Sequence, residues 1–466
     1  MIAASELKRS GRARRRACKS WVALGANKMN TRIPPMLFTA IAMLMFCLVR
    51  TQAPARIITV TNTNDSGPGS LRDALTIATD DDLITFVVTG TITLTSGQLV
   101  VNKNVVISGP GADLLRVSGN ASHRVLFIRS PGPPLPRITV SVSGLTITDG
   151  ASDTGAGIEN LFAEVIVSEC IISNNSASED GGGIANVGGT ADETTLTINN
   201  STIIGNSARP GGAGIYNYNA NSQGGGATLI VNNSTINVNS AHDGGGVYNI
   251  ARSGRNGSGS ATVTISNSTI SGNTATGNVG GGIYTEGNNG GLFFGIARLT
   301  VNNSTISGNS ARLLGGGIYD TGATVSIGQT ILNTGPSGQN IYRNSGAVTS
   351  LGYNLSNDNG NGLLTGPGDQ INTDPLLGPL QNNGGPTFTH ALLPGSPGID
   401  AGNPSFSPPP IMISATALFS ACSVVGSMSG HSRANLNLNP HPVRVQDRVQ
   451  LRDLGELRSV KRNEPE

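Results

Sequence analysis

Carboxylate and imidazole groups are the side chains of this sequence that could carry out acid–base chemistry. Removing a proton from an acidic sugar requires clustered carboxylates that hold calcium and a basic group that takes the proton. Hydrolysing a glycosidic bond requires two carboxylates at a fixed separation across that bond. Between residues 179 and 320 the acids are sparse and seldom adjacent: Glu179-Asp180, Asp192-Glu193, Asp243, Glu286 and Asp320.

The positions of these residues favour a structural role over catalysis. Glu179, Asp180 and Asp243 precede Gly-rich runs, where solvated turn residues are expected. The histidines are far apart in sequence: His123, His242 and His390. The adjacent pair His242-Asp243 fits an exposed loop. Since no nucleophile elbow, phosphate-binding loop or metal-spaced motif is present, we expect no catalytic residue, no cofactor and no metal.

The composition favours short strands and argues against nucleic-acid binding. The chain has 466 residues, with 64 Gly, 12% charged residues and 4% aromatic residues. Its apolar residues are mostly Ile, Val and Leu interleaved with Thr, Ser and Asn, a mixture typical of strands. The net charge is +2, and Lys103 is the one lysine between residues 59 and 403. Without a basic stripe to neutralise phosphates, we expect no nucleic-acid partner.

Residues 1–55 form a predicted signal-peptide region. Residues 36–49 read MLFTAIAMLMFCLV, an apolar run that suits a signal peptide and is shorter than the about 20 residues of a membrane-spanning helix. Ala53 and Ala55 offer small residues for cleavage, and a start at Met29 would shorten the basic segment before the run. The alternative is an uncleaved anchor. The cysteines give no disulfide framework and no metal-spaced cluster: Cys18, Cys47, Cys170 and Cys422.

A repeated segment dominates the middle of the chain. Residues 196–208 read LTINNSTIIGNSA, residues 229–241 read LIVNNSTINVNSA, and residues 299–311 read LTVNNSTISGNSA. Each copy is followed by a Gly-rich return such as GGGVYN or GGGIYT. The short runs alternate apolar and polar residues, which places one set of side chains on one face of a strand. The repeats predict an all-β parallel solenoid in which each copy and its return form one coil.

Residues at equivalent repeat positions are expected to stack from coil to coil. An apolar core stack is predicted at Ile203, Ile236, Ile270 and Ile306. A structural Asn ladder is predicted three residues later, at Asn206, Asn239, Asn273 and Asn309. Asn tolerates the left-handed conformation that a corner needs, and stacked amides can hydrogen-bond along the stack. The NNST strings also match the N-glycosylation sequon, although their fixed phase favours the ladder.

The regions flanking the repeats complete the predicted organisation. Residues 56–82 are the predicted N-terminal cap, in which Leu71, Ala74, Leu75 and Ala78 lie on one helix face after a capping box at Ser70. This short helix is expected to cover the unpaired edge of the first coil. The β-helix itself is predicted for residues 83–345, as a rod of eight or nine coils. A separate C-terminal region is assigned to residues 346–410.

The repeats resemble those of polymorphic outer-membrane proteins, whose marks are a GGA-aliphatic motif and an F-x-x-N motif. Here the first mark is GGG or GGAG before Ile or Val, and the second carries Ile in place of Phe. Residues 374–403, DPLLGPLQNNGGPTFTHALLPGSPGIDAGN, resemble the choice-of-anchor Q domain of bacterial surface proteins, with His390 and Asp400 in its pattern. The segment NTNDSGPGSLRDAL resembles the start of secreted bacterial β-helix proteins. These resemblances cover residues 57–410 and imply secretion, a right-handed parallel β-helix and surface location, without chemistry.

Three functions remain open at this point. The leading hypothesis is a non-catalytic surface adhesin or structural stalk, monomeric, with cell-surface glycans or proteins of a neighbouring cell as partners. The second is a carbohydrate-binding module, which a row of exposed aromatics would favour. The third is a polysaccharide-active enzyme, because pectate lyases and polygalacturonases are also right-handed β-helices. Tyrosines recur after the Gly-rich returns, where core or edge packing explains them equally: Tyr216, Tyr248, Tyr284 and Tyr319.

Residues 411–466 depart in composition from everything before them, and we interpret them as a reading-frame artefact. Permitted codons for IMISA, read two bases later, spell Tyr-Asp-Gln-Arg, and those for GSMSGHSR spell Ile-Asp-Val-Gly-Pro-Phe-Glu. Both strings are typical of choice-of-anchor Q proteins. A shifted tail carries no evolved core pattern and is expected to be disordered or weakly helical. Membrane association would then depend on the signal region or on an anchor lost with the shift. A native divergent tail is the alternative.

Overall fold

Each repeat of the chain folds as one coil built from three short strands. The computed structural model describes residues 55–132, 136–189, 193–219, 225–254, 257–287 and 295–404. Within them, strands of successive coils pair in parallel along three faces, which makes the fold a right-handed parallel β-helix. Right-handed crossovers are the rule for parallel strands, because a right-twisted strand packs back onto its sheet in that way. The predicted fold class is confirmed. The signal region and the tail of residues 411–466 lie outside the described residues.

Three parallel sheets run along the described part of the helix. Sheet 1 has eleven strands: Ile57–Val60, Asp82–Phe86, Val105–Ser108, Thr139–Ser143, Glu164–Ser168, Thr194–Asn199, Gly226–Asn232, Ser260–Ser266, Ile296–Asn302, Ala323–Gly328 and Gly346–Gly352. Sheet 2 has ten: Gly90–Thr93, Leu115–Ser118, Thr146–Thr148, Ile171–Ser173, Thr202–Ile204, Thr235–Asn237, Thr269–Ser271, Thr305–Ser307, Ile331–Asn333 and Leu355–Ser356. Sheet 3 has nine: Leu99–Val101, Leu126–Arg129, Ile158–Leu161, Ile184–Gly188, Ile215–Asn219, Val247–Ala251, Ile283–Gly287, Ile318–Thr321 and Ile341–Arg343.

Smaller elements lie at the corners and after the last coil. Two corner sheets are parallel: Ala151–Ser152 with Ser176–Ala177, and Ser240–Ala241 with Thr274–Ala275 and Ser310–Ala311. Two pairs are antiparallel: Ser253–Gly254 with Gly257–Ser258, and Leu377–Gln381 with Thr389–Leu392. A 3-10 helix covers Gly360–Gly362. The antiparallel pair at residues 377–392 is called the C-terminal hairpin below.

The core is a column of aliphatic side chains in strict register. Ile203 pairs with Ile236, and Ile236 pairs with Ile270, so identical side chains stack on one another inside the helix. All three are fully buried, as is Ile306 in the following coil. Because the neighbour of each side chain is its own copy, every coil must keep the same size of residue at that position.

A short helix, α1 (Leu71–Ile77), covers the first coil as predicted. Ser70 is its N-cap, and the Ser70 hydroxyl accepts a hydrogen bond from the backbone N–H of Asp73. Leu71, Ala74 and Leu75 are buried against the end of the core. The Arg72 guanidinium bonds to the Asp65 carboxylate and to the carbonyl oxygen of Gln98. The predicted capping helix is confirmed, since it shields a strand edge that would otherwise be unpaired.

The stack of coils extends beyond residues 83–345 at both ends. Ile57–Val60 pairs with Asp82–Phe86, so the first strand of sheet 1 lies inside the predicted cap. At the other end Gly346–Gly352 pairs with Ala323–Gly328. Neither strand carries the repeat motif. Leu364 then packs against the core beyond the last strands.

The C-terminal hairpin lies against the outer face of sheet 2. The Thr235 hydroxyl donates to the carbonyl oxygen of Phe388 at 2.6 Å, and the Thr387 hydroxyl donates to that of Asn233 at 3.3 Å. These contacts cross more than 150 residues of sequence. The C-terminal hairpin, which falls within the separate region predicted for residues 346–410, therefore packs on the solenoid surface.

The residue in the left-handed conformation at each corner is the one that precedes the Asn of the ladder. The sequence analysis explained the ladder Asn by its tolerance of that conformation, and this explanation is wrong. The four corner residues have positive φ angles: Gly205 (66°), Val238 (54°), Gly272 (64°) and Gly308 (66°). None of the ladder asparagines has a positive φ. The corner therefore selects Gly before the ladder residue, and the ladder residue is selected for its amide group.

Val238 is the exception at this corner, and it predicts a stabilising substitution. A β-branched residue in the left-handed region costs roughly 1–2 kcal/mol. The Val238 side chain is 58% exposed, so little apolar contact is lost on its removal. We expect Val238→Gly to raise the free energy of unfolding by about 1 kcal/mol in urea denaturation.

The matched control is the reverse change one coil later. A Cβ at Gly272 would meet the Val238 side chain at 3.9 Å, which is ordinary contact, so the φ angle alone opposes a larger residue. Gly272→Val should therefore lower the free energy of unfolding by a similar amount. A loss of stability in Val238→Gly would contradict this account of the corner.

Candidate functional site

The predicted Asn positions form a continuous chain of hydrogen bonds inside the helix, which we call the corner ladder. Each side-chain Nδ2 donates to the Oδ1 of the next coil at 2.9 Å, from Asn206 to Asn239, Asn273 and Asn309. Asn175 adds one step at the N-terminal end. Each Oδ1 also accepts the backbone N–H of the preceding Asn, as Asn239 does from Asn206 at 3.0 Å. The amides are buried and fully used by the fold.

A second chain of amides, which we call the sheet ladder, was missed by the sequence analysis. It lies on the inner face of sheet 3 and links Asn160, Asn186, Asn217 and Asn249 through Nδ2–Oδ1 hydrogen bonds of 2.8 Å. All four side chains are fully buried. The signal was present in the Gly-rich returns, where Asn stands two residues after Ile or Val, on the same face of the strand.

Removing one amide from the corner ladder should lower the free energy of unfolding. Asn239→Ala would leave the carbonyl oxygen of Ile203 and the backbone N–H of Asn206 without their partner. Each unsatisfied buried group costs roughly 1–3 kcal/mol, so we expect a loss of about 3–5 kcal/mol in the free energy of unfolding.

Asn232→Ala is the matched control for this loss. Asn232 also bonds to the Asn of the neighbouring coil, Asn199, at 3.1 Å, but it lies half-exposed on the outer face of sheet 1. Water can replace this bond, so the variant should lose no more than about 1 kcal/mol. Equal losses in the two variants, measured by urea denaturation, would count against a special role for the buried ladder.

The sheet ladder ends on a buried acid, Asp320. The positions after Asn249 carry Thr285 and then Asp320 in successive coils. The Asp320 side chain is fully buried, and its Oδ1 accepts the backbone N–H of Ala323 at 3.0 Å. Its Oδ2 has no hydrogen-bond partner among the described residues. Burial raises the pKa of Asp320 to about 7.

This raised pKa predicts a pH-dependent stability. The folded chain binds a proton at Asp320 more tightly than the unfolded chain does, so the stabilisation is complete below the unfolded pKa of about 4 and is lost as pH rises towards 7. Asp180 adds to the same trend, since burial raises its pKa to about 6.

Asp320→Asn isolates the contribution of the buried acid. An amide cannot ionise, so the variant should gain up to about 4 kcal/mol over the native chain at pH 8 and much less at pH 4. Thermal unfolding followed at both pH values measures the difference. A gain that is equal at pH 4 and pH 8 would show that ionisation of Asp320 is not the cause.

The acids at the Gly-rich returns act as clips between coils. Asp180 Oδ1 accepts the backbone N–H of Gly211 at 2.9 Å, and Asp243 Oδ1 accepts that of Val279 at 3.0 Å. The other oxygen of Asp243 lies 2.9 Å from Nδ1 of His242. Each carboxylate therefore bonds to the next coil, and the two do not converge on a common point. They are half-buried, not the solvated turn residues that the sequence indicated.

The recurring tyrosines form a stacked column on the outer face of sheet 3. The ring centroids of neighbours are 4.6–5.8 Å apart, and four of the five pairs are within 25° of parallel. The tyrosine column consists of Tyr218, Tyr216, Tyr248, Tyr284, Tyr319 and Tyr342. Because each ring covers the face of the next, ring edges and hydroxyls are left for other partners. This arrangement favours packing between coils over a platform for sugar rings.

His390 fastens the C-terminal hairpin to the solenoid. Its Nδ1 lies 2.7 Å from the carbonyl oxygen of Gly378, to which it donates a hydrogen bond, and its Nε2 lies 2.9 Å from the Ser271 hydroxyl oxygen. A Ser–His pair can form a nucleophile and its base. Here Ser271 is only 7% exposed beneath the hairpin, so the pair serves as a contact between the two parts.

Neither a metal-binding cluster nor a membrane-spanning helix is present among the described residues. No group of three or more His, Cys, Asp or Glu side chains there is arranged to hold a metal ion. No helix in the same part of the chain is both long enough and apolar enough to cross a membrane.

A short stretch of the chain is similar to a known family of repeats. A family model described as the Chlamydia polymorphic membrane protein repeat matches residues 169–187. This segment contains Asn175 of the corner ladder and Asn186 of the sheet ladder, so the matched repeat includes both amide positions. No protein with a curated description matches the chain.

Two solved structures resemble the chain weakly. One is ORF18 of Geobacillus virus E2, with 12% identity and a TM-score of 0.37, covering 67% of this chain. The chain spans 63% of the length of that viral protein. The other is pectate lyase Pel9A, with 16% identity and a TM-score of 0.29, covering 64% of this chain and 78% of the lyase. The β-helix assignment follows from the strand pairing of the chain itself.

Proposed function

We propose that this chain is a non-catalytic β-helix protein, secreted or displayed on the cell surface, with an adhesin-like or structural role. The observation that carries the proposal is the use of the candidate catalytic carboxylates by the fold. Asp180 and Asp243 each accept a backbone N–H of the following coil, which gives both carboxylates a structural role and favours that role over catalysis.

The proposed location draws on sequence. The match to the Chlamydia polymorphic membrane protein repeat supports an outer-membrane or surface setting. The apolar run of residues 36–49 supports export, and the likeness of residues 374–403 to a choice-of-anchor Q domain supports a bacterial surface protein. Glycans or proteins of a neighbouring cell are the proposed partners, since a rigid rod displays many copies of one surface motif.

Export can be tested with the full chain in a Gram-negative host. The full chain should reach the medium or the outer surface, where externally added protease cleaves it. A chain that starts at residue 56 should stay inside the cell and be protected from the protease. Retention of the full chain in the cytoplasm would contradict the proposed location.

Absence of turnover can be tested on acidic polysaccharides with calcium present. The full chain should produce neither double bonds, followed by ultraviolet absorbance, nor reducing ends above a heat-denatured control. The decisive variant is Asp243→Ala, with Asp180→Ala as its matched control because both acids clip neighbouring coils. Turnover by the native chain that Asp243→Ala abolishes, while Asp180→Ala and the melting temperature are unaffected, would establish an enzyme instead.

A further inference from the structure

The outer face of sheet 1 carries a two-dimensional array of mostly small polar side chains, of which threonine is the most frequent, and which we call the threonine face. Its first column is Thr195, Thr228, Thr262, Arg298 and Thr324. Its second column is Thr197, Ile230, Thr264, Thr300 and Ser326. A third column continues the same strands with Asn199, Asn232, Ser266 and Asn302.

The array is regular in both directions. The strands keep one register, so that Thr262 pairs with Thr228 and Thr264 pairs with Thr300, and the columns run along the helix axis. Neighbouring strands are about 4.8 Å apart, and residues two apart in a strand are about 6.7 Å apart. Equivalent positions therefore recur from strand to strand at a constant spacing, and most of them carry a hydroxyl group.

Sheet 1 is also the face of the solenoid that the described residues leave open. Its threonines are half-exposed or exposed. The C-terminal hairpin lies on sheet 2, and the tyrosine column occupies sheet 3. The centre of the threonine face, from Thr228 to Thr264, carries no charge. Charge enters at Arg298 and at the N-terminal border, where Arg137 lies 3.5 Å from the Thr195 hydroxyl and forms an ion pair with Glu164. A neutral face of this kind complements a neutral partner, because a charged one would lose its hydration without gaining an ion pair.

We propose that the threonine face binds the surface of ice crystals. A partner that matches the whole face must be uncharged and periodic in two directions, as a crystal of water is. Each hydroxyl can occupy an oxygen position of the lattice, and each methyl group holds ordered water in the gap beside it. The proposal names a ligand for the proposed surface protein. It rests on the proposed function in one respect, which is the location at which the protein would meet ice.

Crystalline polysaccharides are the competing periodic surface. Their flat sugar rings are bound by the faces of exposed aromatic side chains, which stack with them over a large area. None of the residues of the threonine face is aromatic, and the rings of the tyrosine column cover one another. The side chains of sheet 1 therefore favour ice over cellulose or chitin.

Two residues interrupt the array, and they supply a gain-of-function test. Ile230 keeps a branched methyl group at the surface but lacks the hydroxyl. Arg298 adds a long charged side chain between Thr262 and Thr324. Replacing Arg298 by Thr would complete the first column without changing the core, because the inward neighbours Ala297 and Leu299 are untouched.

The test uses the purified full chain. Its partition into a slowly growing hemisphere of polycrystalline ice and its thermal hysteresis are measured, with serum albumin as the excluded reference protein. We expect enrichment in the ice fraction and a measurable hysteresis. Thr264→Tyr, which places a bulky ring at the centre of the face, should abolish both. Arg298→Thr should raise both above the native chain.

Thr91→Tyr is the matched control, since Thr91 is an exposed strand residue that points outward from sheet 2. It should behave as the native chain does, and the melting temperatures of all variants establish that they fold. Exclusion of the native chain from ice, or equal losses in Thr264→Tyr and Thr91→Tyr, would overturn the proposal. Binding to crystalline chitin or cellulose without enrichment in ice would also overturn it. These outcomes leave the proposed surface function untouched, because that function is tested by export and turnover.

Discussion

Side chains inside this solenoid stack on identical or similar residues of the next coil, and this constraint governs the rest of the structure. A buried amide needs a hydrogen-bond partner in the next coil, because leaving it unpaired among apolar side chains is costly. Asn206 and Asn239 satisfy each other in this way, and so do Asn186 and Asn217. Buried aliphatic side chains follow the same rule, because each must be similar in size to the side chains stacked on either side of it. A change in one coil is therefore felt by two others.

The constraint also explains how much of the fold could be predicted from the sequence. Copies that must match in space must match in sequence, so the repeats revealed the coils, the core stack at Ile203 and the positions of the corner ladder. The capping helix was predictable because Ser70 and the apolar residues after it follow local rules. These features depend on residues close in sequence or on exact repetition.

Features that depend on contacts between unlike segments could not be predicted in the same way. The sheet ladder was missed because a polar residue on the core-facing side of a strand is uncommon, whereas Asn186 lies on that side and is paired there with Asn217. The left-handed corner is shared between Gly205 and Val238, which differ too much to signal one conformation. The hairpin contact of Phe388 with Thr235 spans 153 residues and leaves no local pattern.

Because the interior is used for stacking, function is left to the outer faces. The central claim is that the register between equivalent residues of successive coils is what joins them. It is tested most directly by removing residues 201–233, which joins Asn200 to Ser234 at equivalent repeat positions, and comparing the product with one lacking residues 201–232. Circular dichroism and cooperative thermal unfolding report the outcome. The first deletion should keep strand content and a single transition, while the second should lose both. Equal behaviour of the two deletions would contradict the account.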